Sequence, residues 1–174
     1  LVLEAGRILG MTTGIFKADI MWTTKGLKIL ETTARLSGGF DSQLTSPLAH
    51  GVDYITGAIL LALGEAPHWE YFIPKWHRGA AVVTKFIPEG TVTNIDTTQA
   101  EKEGAIVLKT IKVGERQGQL KNCADRHIFV ATIARTGIDA WNKAVELAQK
   151  VVIECSWILK QGCPVSWTLF YWCS

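Results

Sequence analysis

The sequence predicts an α+β chain: a mostly antiparallel sheet with flanking helices, then a smaller β-rich subdomain closed by a helix. Three observations lead there. Two runs rich in β-forming residues, 14–22 and 27–34, flank a short Thr-Thr-Lys-Gly stretch. A helical run at about 52–63 is stopped by Gly64 and then Pro67. Beyond residue 77, short strands alternate with turn residues until one long amphipathic helix.

Residues 2–11 (VLEAGRILGM) have helical spacing, with Leu3, Ile8 and Met11 roughly on one side. The two strands follow, and then residues 35–50, whose Gly, Ser, Asp, Pro and Thr read as a long loop. Residues 64–77 read as irregular and carry the expected subdomain boundary. Strands are expected at 80–87, 91–95, 105–112 and 127–134, with turn chemistry at Pro88–Gly90 and Gly114–Gly118. A helix is expected over 137–154, with Ala140, Ala144, Leu147, Ala148 and Val151 in one stripe and Asp139 at the positive end of its dipole. The expected division is 1–66, 67–155 and an unassigned aromatic tail, 156–174, holding Trp157, Trp167, Phe170, Tyr171 and Trp172.

Composition narrows the function. The chain has 174 residues, 48% apolar and 20% charged, which suits a packed globular core. A net charge of +2 without a basic run argues against nucleic acid and acidic membrane surfaces as partners. No run of eighteen apolar residues predicts a membrane span, and no signal peptide is visible. Cys123, Cys155, Cys163 and Cys173 form neither a C-x-x-C pair nor a zinc pattern, so reduced thiols in a cytoplasmic protein are expected. The chain starts at Leu1 inside a predicted helix, which suggests a fragment.

The chemistry concentrates in the first hairpin. On its first strand Ile15, Lys17, Asp19 and Met21 share a face; on its second, Ile29, Glu31, Thr33 and Arg35 do. A three-residue loop of Thr24, Lys25 and Gly26 would pair Thr23 with Leu27, Met21 with Ile29, Asp19 with Glu31 and Lys17 with Thr33. Two carboxylates would then stand about 5 Å apart at their Cβ atoms. Such a pair repels unless one carboxyl stays protonated, a basic side chain such as Lys17 or Arg35 intervenes, or a divalent cation bridges them. Spacing alone leaves these three open.

The run D19-I-M followed by L30-E31-T-T-A-R35-L-S-G-G-F40 resembles the metal-binding hairpin of ATP-grasp enzymes. Gly51-Val-Asp-Tyr with Ile59-Leu-Leu-Ala-Leu-Gly64 resembles the helix that follows it in amino-acid-ligase and carbamoyl-phosphate-synthase-like relatives. Arg78-Gly-Ala-Ala, Pro88-Glu-Gly90 and Asp125-Arg126 resemble their C-terminal subdomain, so the likeness covers about residues 1–155. The resemblance implies the C-terminal half of an ATP- and Mg2+- (or Mn2+-) dependent ligase that joins a carboxylate to an amine through an acyl-phosphate. It implies metal binding by Asp19, Glu31 and Thr33, the last replacing the family's usual Asn. It implies acyl-phosphate stabilisation by Arg35, and adenine packing by Met21 and Leu30 beside Glu31, with a plain core role for Met21 and Leu30 as the alternative. Gly38 and Gly39 would offer backbone N–H groups to an anionic substrate, or serve only as a flexible loop. Asp41 is a candidate contact for the substrate amine, or a solvated loop residue.

The resemblance also implies a missing N-terminal ATP-grasp region and, as in many relatives, a homodimer. No Gly-rich phosphate loop is present, so the isolated chain should be inactive. A non-catalytic binding or assembly module that retains the fold is the alternative. Thr33 and the aromatic tail favour it; joint retention of Asp19, Glu31 and Arg35 favours the enzyme.

Overall fold

The computed structural model describes residues 1–66 and 68–156. The expected tail therefore lies outside the described residues, apart from Ser156. The chain divides into two compact units, Leu1–His77 and the part from Arg78 onward.

The first unit opens with α1 (Val2–Ile8), shorter than the 2–11 expected from periodicity. Gly10 is the reason. It turns left-handed, and the N–H groups of Gly10 and Met11 close back on the carbonyls of Arg7 and Gly6. Strands β1 (Lys17–Thr23) and β2 (Gly26–Thr33) form a two-stranded antiparallel hairpin.

The segment expected as loop over 35–50 is helical in its second half. A π-helical turn at Asp41–Thr45 runs straight into α2 (Ser46–His50). Its Asp, Ser and Thr residues read as loop formers, yet Pro47 sits in the first helical turn, where its missing N–H costs nothing. Next comes α3 (Tyr54–Ala62), capped by Asp53, whose Oδ1 accepts the Thr56 N–H at 3.0 Å. Gly64 ends it as expected: the N–H groups of Gly64 and Glu65 return to the carbonyls of Leu61 and Leu60. Phe72 lies over Gly57 so closely that a Cβ there would meet its ring at 2.3 Å.

The second unit carries most of the buried apolar side chains. Strands β3 (Gly79–Lys85), β7 (Ile128–Ala134) and β5 (Ile106–Lys109) form one antiparallel sheet in the order β3-β7-β5. A second sheet has the order β6-β4-β8, from Arg116–Gln117, Gly90–Asp96 and Val152–Ser156. Two helices complete the unit, α4 (Thr98–Lys102) and α5 (Gly137–Gln149). The α5 stripe expected from spacing is the one buried: Ala140, Ala144, Leu147 and Ala148 pack on β3 and β7, with Val151 just beyond. Burying Leu147 alone is worth about 1.5–3 kcal/mol.

Several elements of this unit differ from expectation. The helix expected to 154 stops at Gln149, and the β-branched Val152 and Ile153 instead begin β8, paired with β4. The short α4 and the two-residue β6 were not anticipated, since each is too brief to show a period. The α5 cap is Thr136, whose Oγ1 accepts the Asp139 N–H and donates to the Asp139 carboxylate. Among the described residues no helix is long and apolar enough to cross a membrane.

The Asp53 cap gives a test of the first unit. The Thr56 N–H holds the Asp53 carboxyl below the usual carboxylate range. A depressed folded-state pKa stabilises above the unfolded value of about 4 and loses that effect as pH falls through the folded one. Asp53→Ala should therefore lower unfolding stability by about 1 kcal/mol at pH 7. Urea titrations of wild type and variant should converge in acid, whereas Asp53→Asn should keep its cap at every pH.

Candidate functional site

The hairpin brings Asp19 opposite Glu31 and Lys17 opposite Thr33. It reaches this register by a different route from the one expected. The turn is two residues long, Thr24-Lys25, with Thr23 opposite Gly26. Thr23 Oγ1 fixes it, donating to the Gly26 carbonyl at 2.7 Å and accepting the Lys25 N–H at 3.1 Å. Such a turn by itself would put Asp19 opposite Leu30. A bulge prevents this: the partners step from Ile20–Ile29 to Asp19–Glu31, leaving Leu30 without an opposite residue. Met21 consequently faces Lys28 rather than Ile29.

The bulge sorts the two faces. Ile20 meets Ile29 and Trp22 meets Leu27 on one face; Asp19, Glu31, Lys17, Thr33 and Met21 occupy the other. The apolar residues stay open to solvent: Trp22 is 83% exposed, Leu30 61% and Met21 50%. Met21 and Leu30 are therefore not core residues of the first unit.

Asp19 and Lys17 form an ion pair at 2.5 Å, with both side chains about four-fifths buried. Of the three remedies for opposed carboxylates, the structure displays the second, with Lys17 as the cation. Glu31 is exposed and makes no hydrogen bond or ion pair among the described residues. Asp19 and Glu31 supply hard carboxylate oxygens, and Thr33, two residues beyond Glu31 on the same face, adds a hydroxyl. That donor set fits a small divalent cation, on condition that the cation displaces or joins Lys17. Among the described residues no group of three or more His, Cys, Asp or Glu is placed to hold a metal ion.

Arg35 departs from its expected position. It lies beyond the end of β2 and off the ladder, where its Nη1 donates to the Leu36 carbonyl at 2.8 Å. The loop then folds back, so that a Cβ on Gly38 would lie 3.9 Å from that nitrogen. The Asp41 N–H closes the turn on the Gly38 carbonyl. Gly39 and Phe40 are both left-handed; in a non-glycine residue such as Phe40 that conformation is uncommon. Asp41 starts the π-helical turn and accepts the Ser46 hydroxyl at 3.0 Å, so its carboxylate is committed locally.

Sequence reasoning missed a groove of about 420 Å3 beside Arg35. Its walls come from the approach to β1 (Thr13, Gly14, Ile15), the exit from β2 (Ala34, Arg35, Leu36) and one side of α3 (Ala58, Leu61, Ala62). The available signal was Ala58 and Ala62, small residues one helical turn apart.

The described fold closely matches two solved structures. One is phosphoribosylglycinamide synthetase from Anaerococcus prevotii, with a TM-score of 0.73 and 15% identity over 88% of this chain. The other is an L-amino acid ligase from Bacillus licheniformis, with a TM-score of 0.67 and 18% identity over 87%. Both are ATP-grasp enzymes. The fold is the one these ATP-grasp enzymes share. At such identities the likeness is one of fold, and the chain spans 40% of the length of each structure. No family model matches the chain, and no curated protein matches it in sequence.

If Lys17 is what makes the opposed carboxylates tolerable, Lys17→Met should destabilise the first unit by about 1 kcal/mol at low salt. High salt should shrink the loss. Adding Glu31→Gln should recover most of it, because only one charge then remains. Thermal unfolding of the single and double variants measures all three effects.

Proposed function

We propose that the chain is part of an ATP- and Mg2+-dependent ligase that joins a carboxylate to an amine. The observation carrying this reading is the Asp19–Glu31 pair, set directly opposite by a bulge, on a fold shared with two ligase-type enzymes. A hairpin whose only task was structural would gain nothing from opposing two carboxylates on a face rich in titratable side chains.

In this reading Asp19, Glu31 and Thr33 hold the divalent cation, whose charge offsets that of the nucleotide phosphates. Met21 and Leu30, both exposed beside the pair, offer apolar contact to the adenine. Arg35 holds the substrate carboxylate and steadies the charge that builds as a carboxylate oxygen attacks the γ-phosphorus. The bond to ADP breaks as the acyl-phosphate bond forms. The amine nitrogen then attacks the acyl carbon, phosphate leaves, and the nitrogen gives up a proton. Gly38 and Gly39 shape the loop against Arg35, and Asp41 sets the start of the next helix. Free Cys123 and Cys155 suit a cytoplasmic setting.

More polypeptide is needed to complete the site. Among the described residues of the first unit, only Ala49 and Val52 are buried apolar side chains, while Leu3, Ile8, Ile20, Trp22 and Leu63 are exposed. A surface this apolar is suited to contact with another segment. We place there the region of the ligase absent from this chain. The second reading, a binding or assembly module, draws its support from Lys17, whose ammonium already neutralises Asp19 without any metal ion.

Electron paramagnetic resonance of Mn2+ titrated into the purified chain separates the two readings. The ligase reading expects specific binding, weakened at least tenfold in Asp19→Asn and in Glu31→Gln, and less in Thr33→Ala. Binding indifferent to both carboxylates favours the module. The chain alone should turn over little or no ATP; robust hydrolysis that is lost in Glu31→Gln would show its site to be complete already.

A further inference from the structure

The groove beside Arg35 is large enough to take a small molecule. Its volume of about 420 Å3 lies within the usual range of roughly 300–1,000 Å3 for such sites. Ile15, Leu36 and Leu61 give it apolar walls, and Ala58 and Ala62, on one side of α3, keep it open. Arg35 is the single charged residue among those that line it, and no Asp or Glu takes part. Its guanidinium spends one N–H on the Leu36 carbonyl and has five in all, so a planar fork remains for an anion.

These features select among the molecules a ligase would handle. A triphosphate needs many donors, and apolar walls supply none. An amine would meet a cation. A carboxylate with an apolar body satisfies both ends of the groove. We propose that the groove binds such an acid, with its carboxylate at Arg35 and its hydrocarbon part between Ile15, Leu36 and α3. Resting on the ligase reading above, this makes the acid substrate a hydrophobic one, an apolar amino acid or short-chain acid rather than a polar or diacidic one.

Two-dimensional amide NMR of the chain, titrated with straight-chain carboxylates from propanoate to octanoate and with the matching alkylamines, tests the proposal. Carboxylates should shift the amides of Ile15, Leu36, Ala58 and Ala62. Their affinity should rise by about fourfold per added methylene until the groove is full. The amines should not bind there. Arg35→Gln should weaken all the acids at least tenfold. Ala62→Phe, or the milder Ala58→Leu should the first fail to fold, should abolish the dependence on chain length while leaving Mn2+ binding unchanged. Equal binding of acids and amines, or shifts confined to other surfaces, would overturn the proposal even with the Mn2+ site intact. Selective acid binding in a chain with no carboxylate-dependent Mn2+ site would keep the groove as an acid site and remove its assignment to a ligase.

Discussion

Two like charges set face to face on a narrow hairpin need a cation, and the hairpin supplies one in Lys17. Asp19 and Glu31 stand directly opposite, and Lys17 bonds to Asp19 from two residues away on the same strand. The opposition is not a by-product of the turn. A two-residue turn alone sets a register in which Asp19 would meet Leu30, an ordinary pairing without repulsion. The bulge at Leu30 undoes that register and pushes Glu31 into place. Bulges re-aim side chains and raise local twist, and they gather near functional sites. Here one extra residue also separates a polar face from an apolar one.

The two units solve the problem of stability differently. From Arg78 onward, two three-stranded sheets and α5 enclose a core that includes Ile128, Val130, Leu147 and Val151. The first unit is held by backbone closures, an Asp53 cap and aromatic contacts such as Phe72 over Gly57. Such a framework positions a hairpin and a loop without a large interior. It leaves apolar side chains on α1, the hairpin and α3 open to solvent.

Much of this was legible in sequence. Residue type and alternation located both strands of the hairpin, and Gly64 and the α5 stripe behaved as their spacing implied. The Asp19–Glu31 opposition was also legible, but through two errors that cancelled: a loop counted one residue too long and a bulge not foreseen. Pairing nearer the tip exposes this, because Met21 faces Lys28 instead of Ile29. Arg35 was placed on the strand because alternation continues past Thr33, whereas the chain leaves the ladder there and turns back at Gly38. The helical half of residues 35–50 was hidden because Asp, Ser and Pro start helices as readily as they form loops. The groove left only a faint trace in the sequence, the small residues Ala58 and Ala62 one turn apart, since its walls come from three separate segments that only the fold unites.

The most direct measurement is anomalous diffraction from a crystal of the chain soaked in Mn2+. The account predicts a manganese peak between the Asp19 and Glu31 carboxylates, near the Thr33 hydroxyl, with Lys17 moved from its contact with Asp19. A structure that keeps the Lys17–Asp19 pair closed, with no peak at the hairpin, would contradict it.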